Sequence, residues 1–321
     1  MIAFFARRLL QATLVMLTVA FLGFLLFQYV GDPVNNMLGS DASDAERALL
    51  RKNLGLDQPI VVQFGKFVGN AVQGEFGLSL RQGRQVSALI KERFSATIEL
   101  SLVASLLALL IGIPLGVYTA VKPKSGLSKA FLTVALAGVS LPTFLIGILL
   151  ILVFSVWLGW LPSYGRGDTI AWGWWSSGLF SASGWQHLIL PAITLALFPL
   201  TLIMRLVRAE MLEVLRTDYI KFSRARGLSR RQIYFTHGLK NTLIPVITIS
   251  ALQLGSIIAF SIITETVFQW PGLGLLFIQA VNFSDIPVMA AYLCFVGLVF
   301  VAINLISDAL CRLVDPRLRI K

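Results

Sequence analysis

The residues best suited to specific chemistry are concentrated in one polar stretch, 217–245, which lies between two long apolar runs. Thr217 or Asp218 can cap a short helix that runs to Arg226. Gly227 then stands where a left-handed residue would end that helix. The chemistry favoured by such a compact, charged and aromatic segment is binding to another protein rather than catalysis.

The second half of this stretch predicts another helix. Leu228 can serve as the apolar companion of the left-handed glycine, and Ser229 and Gln232 have the spacing of a capping box. The segment would form a helix, a sharp elbow and a second helix. Its aromatic residues would face water: Tyr219, Phe222, Tyr234 and Phe235. A rigid docking surface explains these features, and a solvated loop that is positive only for reasons of membrane topology is the alternative.

The sequence shows no arrangement of residues that is typical of catalysis or of metal binding. Cys294 and Cys311 lack metal-ligand spacing, and His187 and His237 lie far apart with no carboxylate cluster nearby. A phosphate-binding Gly-x-x-x-x-Gly-Lys-Ser/Thr loop does not occur. We therefore expect no catalytic residue, no metal and no cofactor, and chemical energy would have to come from another chain.

The amino-acid composition indicates whether water or lipid surrounds this protein. Its 321 residues are 56% hydrophobic and 13% charged, whereas a soluble domain carries about 25% charged residues. The net charge of +11 comes from basic residues that lie mainly in short loops between apolar runs. This is the topology signal of a membrane protein, so we expect lipid as a partner and exclude nucleic acid.

The apolar runs predict an all-α integral membrane protein of about six transmembrane helices. The predicted spans are 9–30, 96–119, 130–158, 188–208, 242–263 and 288–311. The distribution of Lys and Arg in the short loops places both termini in the cytoplasm and residues 31–94 outside. Within that external region, Ser43 to Asn53 and Val61 to Val72 are predicted to form short helices, the first with a capping box from Ser43 to Glu46.

Prolines interrupt four of the predicted spans, and each removes a backbone donor and bends or breaks its helix. Bent helices around a cavity suit a transporter. Glu99, predicted one turn into the second span, would be stabilised there by the helix dipole, with a role in a substrate path as the alternative. Our candidate translocation path consists of Glu99, Pro142, Pro191, Pro245 and Glu265.

At the elbow, the sequence resembles the dipeptide, oligopeptide and nickel permease family of bacterial ABC importers. The similar residues there are Asp218-Tyr219-Ile220, Arg224-Ala225-Arg226-Gly227-Leu228-Ser229, His237, Leu239, Asn241 and Leu243-Ile244-Pro245. The resemblance covers nearly the whole chain. It includes Gly31-Asp32-Pro33, Gly55 to Pro59, Gly74 to Ser79, Ser140 to Phe144, Leu190-Pro191-Ala192, Glu265 to Phe268, Trp270 to Gly274, Asp308 and Asp315-Pro316-Arg317. The wider permease pattern has Glu-Ala-Ala where this chain has Lys221-Phe222-Ser223, so a specific ion pair from that glutamate is not expected.

The resemblance implies a non-catalytic permease subunit with the type I ABC importer permease fold, multi-pass in the bacterial inner membrane. Its implied parts are an N-terminal helix with an external region (1–94), a transmembrane domain (95–312) and a cytoplasmic tail (313–321). The implied partners are a homologous second permease, two ABC ATPase subunits and an external substrate-binding protein. Residues expected to couple to the ATPase are Asp218, Tyr219, Lys221, Phe222, Ser223, Arg224, Ala225, Arg226, Gly227, Leu228, Ser229 and His237.

The cargo that the resemblance implies is di- or oligopeptides, with nickel complexes, glutathione or another small solute as alternatives. Two other classes of protein compete with an ABC permease. A secondary transporter working alone would usually show intramembrane charge or inverted repeats, and neither is visible in the sequence. A membrane-embedded enzyme or receptor scaffold would need convergent catalytic groups, which the sequence also lacks.

Overall fold

The computed structural model describes residues 2–29, 43–53 and 57–314, and these are mostly helical. The helices are α1 (Ile2–Tyr29), α2 (Asp44–Asn53), α3 (Ile60–Gln73), α4 (Val86–Val121), α5 (Gly126–Ser140), α6 (Thr143–Leu150), α7 (Ala182–Val214), α8 (Asp218–Ala225), α9 (Lys240–Val267), α10 (Leu273–Asn282) and α11 (Ile286–Val314). Two segments are π-helical. Ile151–Trp157 follows α6, and Gln232–Leu239 precedes α9. Strands β1 (Ile170–Trp172) and β2 (Trp175–Ser177) form a two-stranded sheet.

The predicted multi-pass membrane fold is confirmed. Among the described residues, four helices are long and apolar enough to cross a membrane; they lie at Arg7–Leu26, Val86–Val121, Ala182–Val214 and Ile286–Ser307. A fifth span results if α5 and the helix Thr143–Trp157 are taken together. The predicted span 242–263 falls within α9, whose described apolar part, Gly255–Val267, is shorter.

The predicted span 130–158 is wrong as one continuous helix, because the chain bends by 111° between α5 and α6. Leu141 has extended backbone angles at the break, and Pro142 is the N-cap of α6. A proline ring clashes with helical backbone at the preceding residue, which accounts for the extended Leu141.

The two short helices predicted in the external region are confirmed as α2 and α3. Ser43 and Glu46 form the predicted capping box, since the Ser43 amide donates to the Glu46 carboxylate (2.9 Å) and the Glu46 amide donates to the Ser43 hydroxyl (3.3 Å). The bond from the Ser43 amide lowers the pKa of Glu46, and so does a bond from the Ser43 hydroxyl to the same carboxylate (2.8 Å). The motif residues Gly31 to Pro33, Gly55, Leu56 and Asp315 to Arg317 lie outside the described residues, and the domain boundaries stay a prediction.

The chain divides into two compact units, and the first comprises residues 1–95, 172–176 and 271–302. Within it, α1 packs on α3 through aromatic rings, with Phe24 at 5.6 Å from Phe64 and 6.0 Å from Phe67 between ring centroids. The carboxylate of Asp285, just before α11, accepts hydrogen bonds from the Ser79 hydroxyl and from the Leu80 amide (3.1 Å). These bonds fix the polar loop that precedes α4.

The second unit comprises residues 96–171, 177–270 and 303–321, and its core is built on closely packed helices. Small residues recur every four positions along part of α4: Ala104, Ala108, Gly112 and Gly116. At Gly116 an added Cβ would lie 2.6 Å from the Cβ of Val207 on α7. Small residues let membrane helices approach this closely, so α4 and α7 pack against each other by van der Waals contact at this point.

Candidate coupling elbow and translocation path

The elbow begins where α7 ends, with only three residues before α8. Thr217 is the N-cap of α8, but its hydroxyl donates to the Val214 carbonyl (2.6 Å), so the predicted side-chain cap is not formed. Asp218 lies in the first turn, where the helix dipole favours a carboxylate. It pairs with Lys221 at 2.8 Å, and both side chains are exposed, so this pair contributes little to stability.

The predicted left-handed glycine is confirmed. Gly227 has a φ of +76°, and no atom lies within 4 Å of the place where its Cβ would be. Its amide donates to the Arg224 carbonyl (3.0 Å), and the amide of Leu228 donates to the Ser223 carbonyl (3.4 Å). These two bonds are those of a Schellman motif, which stops α8 and turns the chain sharply.

The predicted second capping box is confirmed as well. The Ser229 amide donates to the Gln232 side-chain oxygen (3.1 Å), and the Gln232 amide donates to the Ser229 hydroxyl (3.3 Å). The segment that follows is π-helical from Gln232 to Leu239 before α9 begins, a feature that the sequence did not predict. Such π segments occur often at functional sites.

The elbow has an apolar inner face and a basic and aromatic outer face. On the inner face, Ile220 and Ile233 are buried, one in each arm of the elbow. On the outer face, Phe222 is 63% exposed and Phe235 is 55% exposed, and the Arg226 guanidinium lies 5.8 Å from the Phe222 ring centroid. Exposed phenylalanines beside arginines are typical of a protein-binding surface.

The predicted coupling residues are distributed over both faces. Those exposed to solvent are Asp218, Tyr219, Lys221, Phe222, Arg224, Ala225, Arg226, Gly227 and Ser229. Leu228 and His237 are half-buried. Ser223 is buried, and its hydroxyl donates to the Tyr219 carbonyl (2.8 Å), so this residue supports the elbow from within.

Tyr219 links the two arms of the elbow. Its hydroxyl donates to the His237 carbonyl (3.0 Å) and accepts from the Asn241 side-chain amide (2.7 Å). The bond to Asn241 was not predicted, because residues on either side of a sharp turn have no shared periodicity. The feature of the sequence that indicates such a bond is a tyrosine on the exposed face of a short polar helix.

Glu99 is buried and fully hydrogen-bonded. The prediction that it lies one turn into its helix is wrong, because α4 begins at Val86 and Glu99 lies well inside it. Its carboxylate accepts from the Ser177 hydroxyl (2.8 Å) and from the amides of Gly178 (2.9 Å) and Leu179 (3.0 Å). Buried carboxylates need such partners, so this residue fastens a loop to α4.

The charge partner of Glu99 is Arg166, which is not among the predicted site residues. Its guanidinium forms a salt bridge with the Glu99 carboxylate, and the two side chains are 7% and 2% exposed. A signal was present in the sequence, since Arg166 is the single basic residue between the predicted third and fourth spans. A lone arginine near an intramembrane carboxylate indicates an ion pair.

Glu265 is also buried, on α9. One of its carboxylate oxygens accepts from the hydroxyls of Thr97 (2.7 Å) and Ser261 (3.2 Å). The indole N–H of Trp270 donates to the Ala96 carbonyl (2.9 Å) beside it. The polar groups of this cluster therefore join α4 to the end of α9.

The five candidate path residues lie apart from the cavity that the second unit contains. Pro191 and Pro245 lie inside α7 and α9, and Pro142 lies in the α5–α6 break. A cavity of about 190 Å³ opens in the second unit instead, and none of the five lines it. Its lining residues are Ser105, Ala108, Leu109, Ile113, Pro199, Ile203, Leu243, Val246, Ile247, Ser250, Gln253 and Ile257.

Comparisons with known proteins match the whole length of the chain. The family model of the "Binding-protein-dependent transport system inner membrane component" matches residues 112–320, and its N-terminal companion matches residues 1–101. The chain is 38% identical over 322 residues to the glutathione transport system permease protein GsiC of Escherichia coli (strain K12). It is 37% identical to the protein of that name from Salmonella paratyphi A, and both matches cover 100% of each chain.

A solved structure supports the fold. It is described as inward-facing conformations of the MetNI methionine ABC transporter, and it matches with a TM-score of 0.56 at 21% identity. The match covers 71% of this chain and 96% of that chain. The type I ABC importer permease fold predicted from the sequence is thereby confirmed.

Proposed function

This chain belongs to the family of binding-protein-dependent transport system inner membrane components, and on that premise we propose that it forms half of an ATP-driven translocation path for short peptides. It is an ABC importer permease subunit and a multi-pass inner-membrane protein. We place its termini and its elbow in the cytoplasm, as the distribution of basic residues indicates. The other half of the path would be a homologous permease, and two ATPase subunits would hydrolyse the ATP.

The observation that carries the cargo proposal is the full-length similarity to glutathione permeases. Glutathione is a tripeptide, so it falls within the class of short peptides that the sequence resemblance implies. Nickel complexes are the second candidate cargo. An external binding protein would select the solute and deliver it to the permease.

The proposed coupling surface is the outer face of the elbow. Its exposed aromatic side chains are rigidly presented, because α8 is closed by a Schellman motif and the next helix by a capping box. A cleft on an ATPase subunit can enclose Phe222 and Phe235, and neighbouring arginines can reach acidic groups at its rim. Closure of the two ATPases on ATP would then move the elbow and, through it, α7 and α9.

Native purification tests this proposal. An affinity-tagged copy of the chain, solubilised from the membranes of its own host, should retain a second permease and an ATPase subunit. After reconstitution into vesicles with the binding protein, labelled glutathione should enter only when ATP is present on the elbow side. Unlabelled dipeptides and tripeptides should compete with it, and a nickel–histidine complex should not.

Two results would contradict the proposal. Uptake at the same rate without ATP would exclude an ABC importer mechanism. ATP-dependent uptake that nickel complexes inhibit and peptides do not would move the assignment to the second candidate cargo.

A further inference from the structure

We propose that the Tyr219 hydroxyl is the tie through which movement of α8 is transmitted to α9. Tyr219 would then be a positioning residue for transport rather than a contact to the ATPase. This inference rests on the proposed function, since it assumes that ATPase subunits dock on the elbow. Beyond the proposed function, it names the residue and the atom that transmit the movement and the route from α8 to α9.

The geometry makes one oxygen atom the bridge between three parts of the elbow. Tyr219 lies in the first turn of α8, and its hydroxyl donates to the His237 carbonyl at 3.0 Å. The same oxygen accepts from the Asn241 side-chain amide at 2.7 Å. His237 belongs to the π-helical segment and Asn241 to the first turn of α9, so the hydroxyl spans the junction between them.

A tie gives α8 and α9 a direct connection that the covalent chain does not provide. The Schellman motif at Gly227 holds the turn at the end of α8. From that turn, the covalent route to α9 still runs through the whole π-helical segment Gln232–Leu239. A direct link from α8 to the start of α9 bypasses this route.

The inner face of the elbow cannot replace this link alone. Ile220 and Ile233 are buried, but apolar contacts are not directional and tolerate sliding between the packed elements. Two hydrogen bonds to one hydroxyl fix both distance and angle, because hydrogen bonds weaken steeply away from linear geometry. The Tyr219 side chain is 39% exposed, so removing its oxygen leaves the packing of the second unit in place.

The critical experiment measures solute imported per ATP hydrolysed for Tyr219→Phe in the reconstituted complex. This variant keeps the aromatic ring and loses only the bridging oxygen. The imported solute per ATP should fall about fivefold or more, the lower range of measured coupling between sites. ATPase co-purification, the ATP concentration for half-maximal hydrolysis and the melting temperature of the complex should stay unchanged.

The chain offers a matched control and a second arm. Tyr164 lies outside the elbow and is exposed, and its hydroxyl makes no hydrogen bond within the described part of the chain, so Tyr164→Phe should retain full coupling. Asn241→Ala removes the other partner and should reduce coupling as well. Combined with Tyr219→Phe it should add little, because both changes break one network.

The outcomes separate this inference from the proposed function. Unchanged import per ATP in Tyr219→Phe would overturn the tie while leaving the importer assignment standing. Loss of ATPase co-purification in that variant would also overturn it, because Tyr219 would then be a docking contact. Import without ATP in the unsubstituted complex would instead refute the proposed function itself.

Discussion

Replacement of Glu99 by alanine tests whether this buried carboxylate holds the structure together. Its side chain is 2% exposed and faces the guanidinium of Arg166, which is 7% exposed. Removing one partner of such a pair costs about 3–5 kcal/mol, because a charge remains buried without its counter-charge. At about 2 °C per kcal/mol, the lower end for chains of 150–250 residues, the melting temperature of the solubilised complex should fall by about 6–10 °C.

A second carboxylate on the same helix provides the control. Glu92 pairs with Arg84 at 3.0 Å, but both side chains are about half exposed. Exposed pairs contribute about 0.2–1 kcal/mol, so Glu92→Ala should leave the melting temperature within about 2 °C. Fluorescence-detected size-exclusion chromatography after heating measures both variants. If Glu99→Ala melts like the unsubstituted complex and yet imports nothing, the structural role is refuted and a place in the substrate path is favoured.

Three further changes probe the elbow, the helix packing and the external region. Gly227→Val should cost about 1–2 kcal/mol at a positive φ and abolish uptake at normal membrane levels by immunoblot; normal uptake would disprove the rigid elbow. Gly116→Leu should destabilise the complex by about 1–3 kcal/mol in melting experiments, whereas Gly126→Leu, with open space around it, should melt normally. Because the pKa of Glu46 is lowered from 4.5, its bonds to Ser43 persist above pH 4.5 and break as pH falls through the lowered pKa. The protection factors of the α2 amides, which correct for slower intrinsic exchange at low pH, should then fall, and constant protection factors would contradict the capping role.

Features set by neighbouring residues were predictable from the sequence. Both capping boxes and the left-handed Gly227 follow from residue type and short spacing, and the structure has each of them. The membrane helices were predictable because a bilayer demands long apolar runs whatever their partners are. The 111° bend at Pro142 was harder to predict, since a proline within an apolar run is compatible with a kinked continuous helix.

Features set by residues far apart in sequence were not predictable in the same way. Glu99 and Arg166 meet because a loop folds back on α4, and no periodicity connects the two positions. The cavity in the second unit is lined by residues of α4, α7 and α9 whose types, as at Ala108 and Ile203, are those of an ordinary hydrophobic core. None of the five path residues that were predicted from charge or proline content lines it. A charged residue in an apolar sequence suggests a functional site, but a buried charged residue with hydrogen-bond partners can instead stabilise the fold.

This distinction bears on where a substrate would travel. Glu99 and Glu265 have their hydrogen bonds satisfied by the protein, so a passing solute would have to displace several bonds to reach either carboxylate. The hydroxyl of Ser250, which lines the cavity, is buried and has no hydrogen-bond partner among the described residues. An unsatisfied buried hydroxyl carries a desolvation cost that an incoming polar group can relieve. Residues around the cavity are therefore better first targets for mapping the path than the two carboxylates.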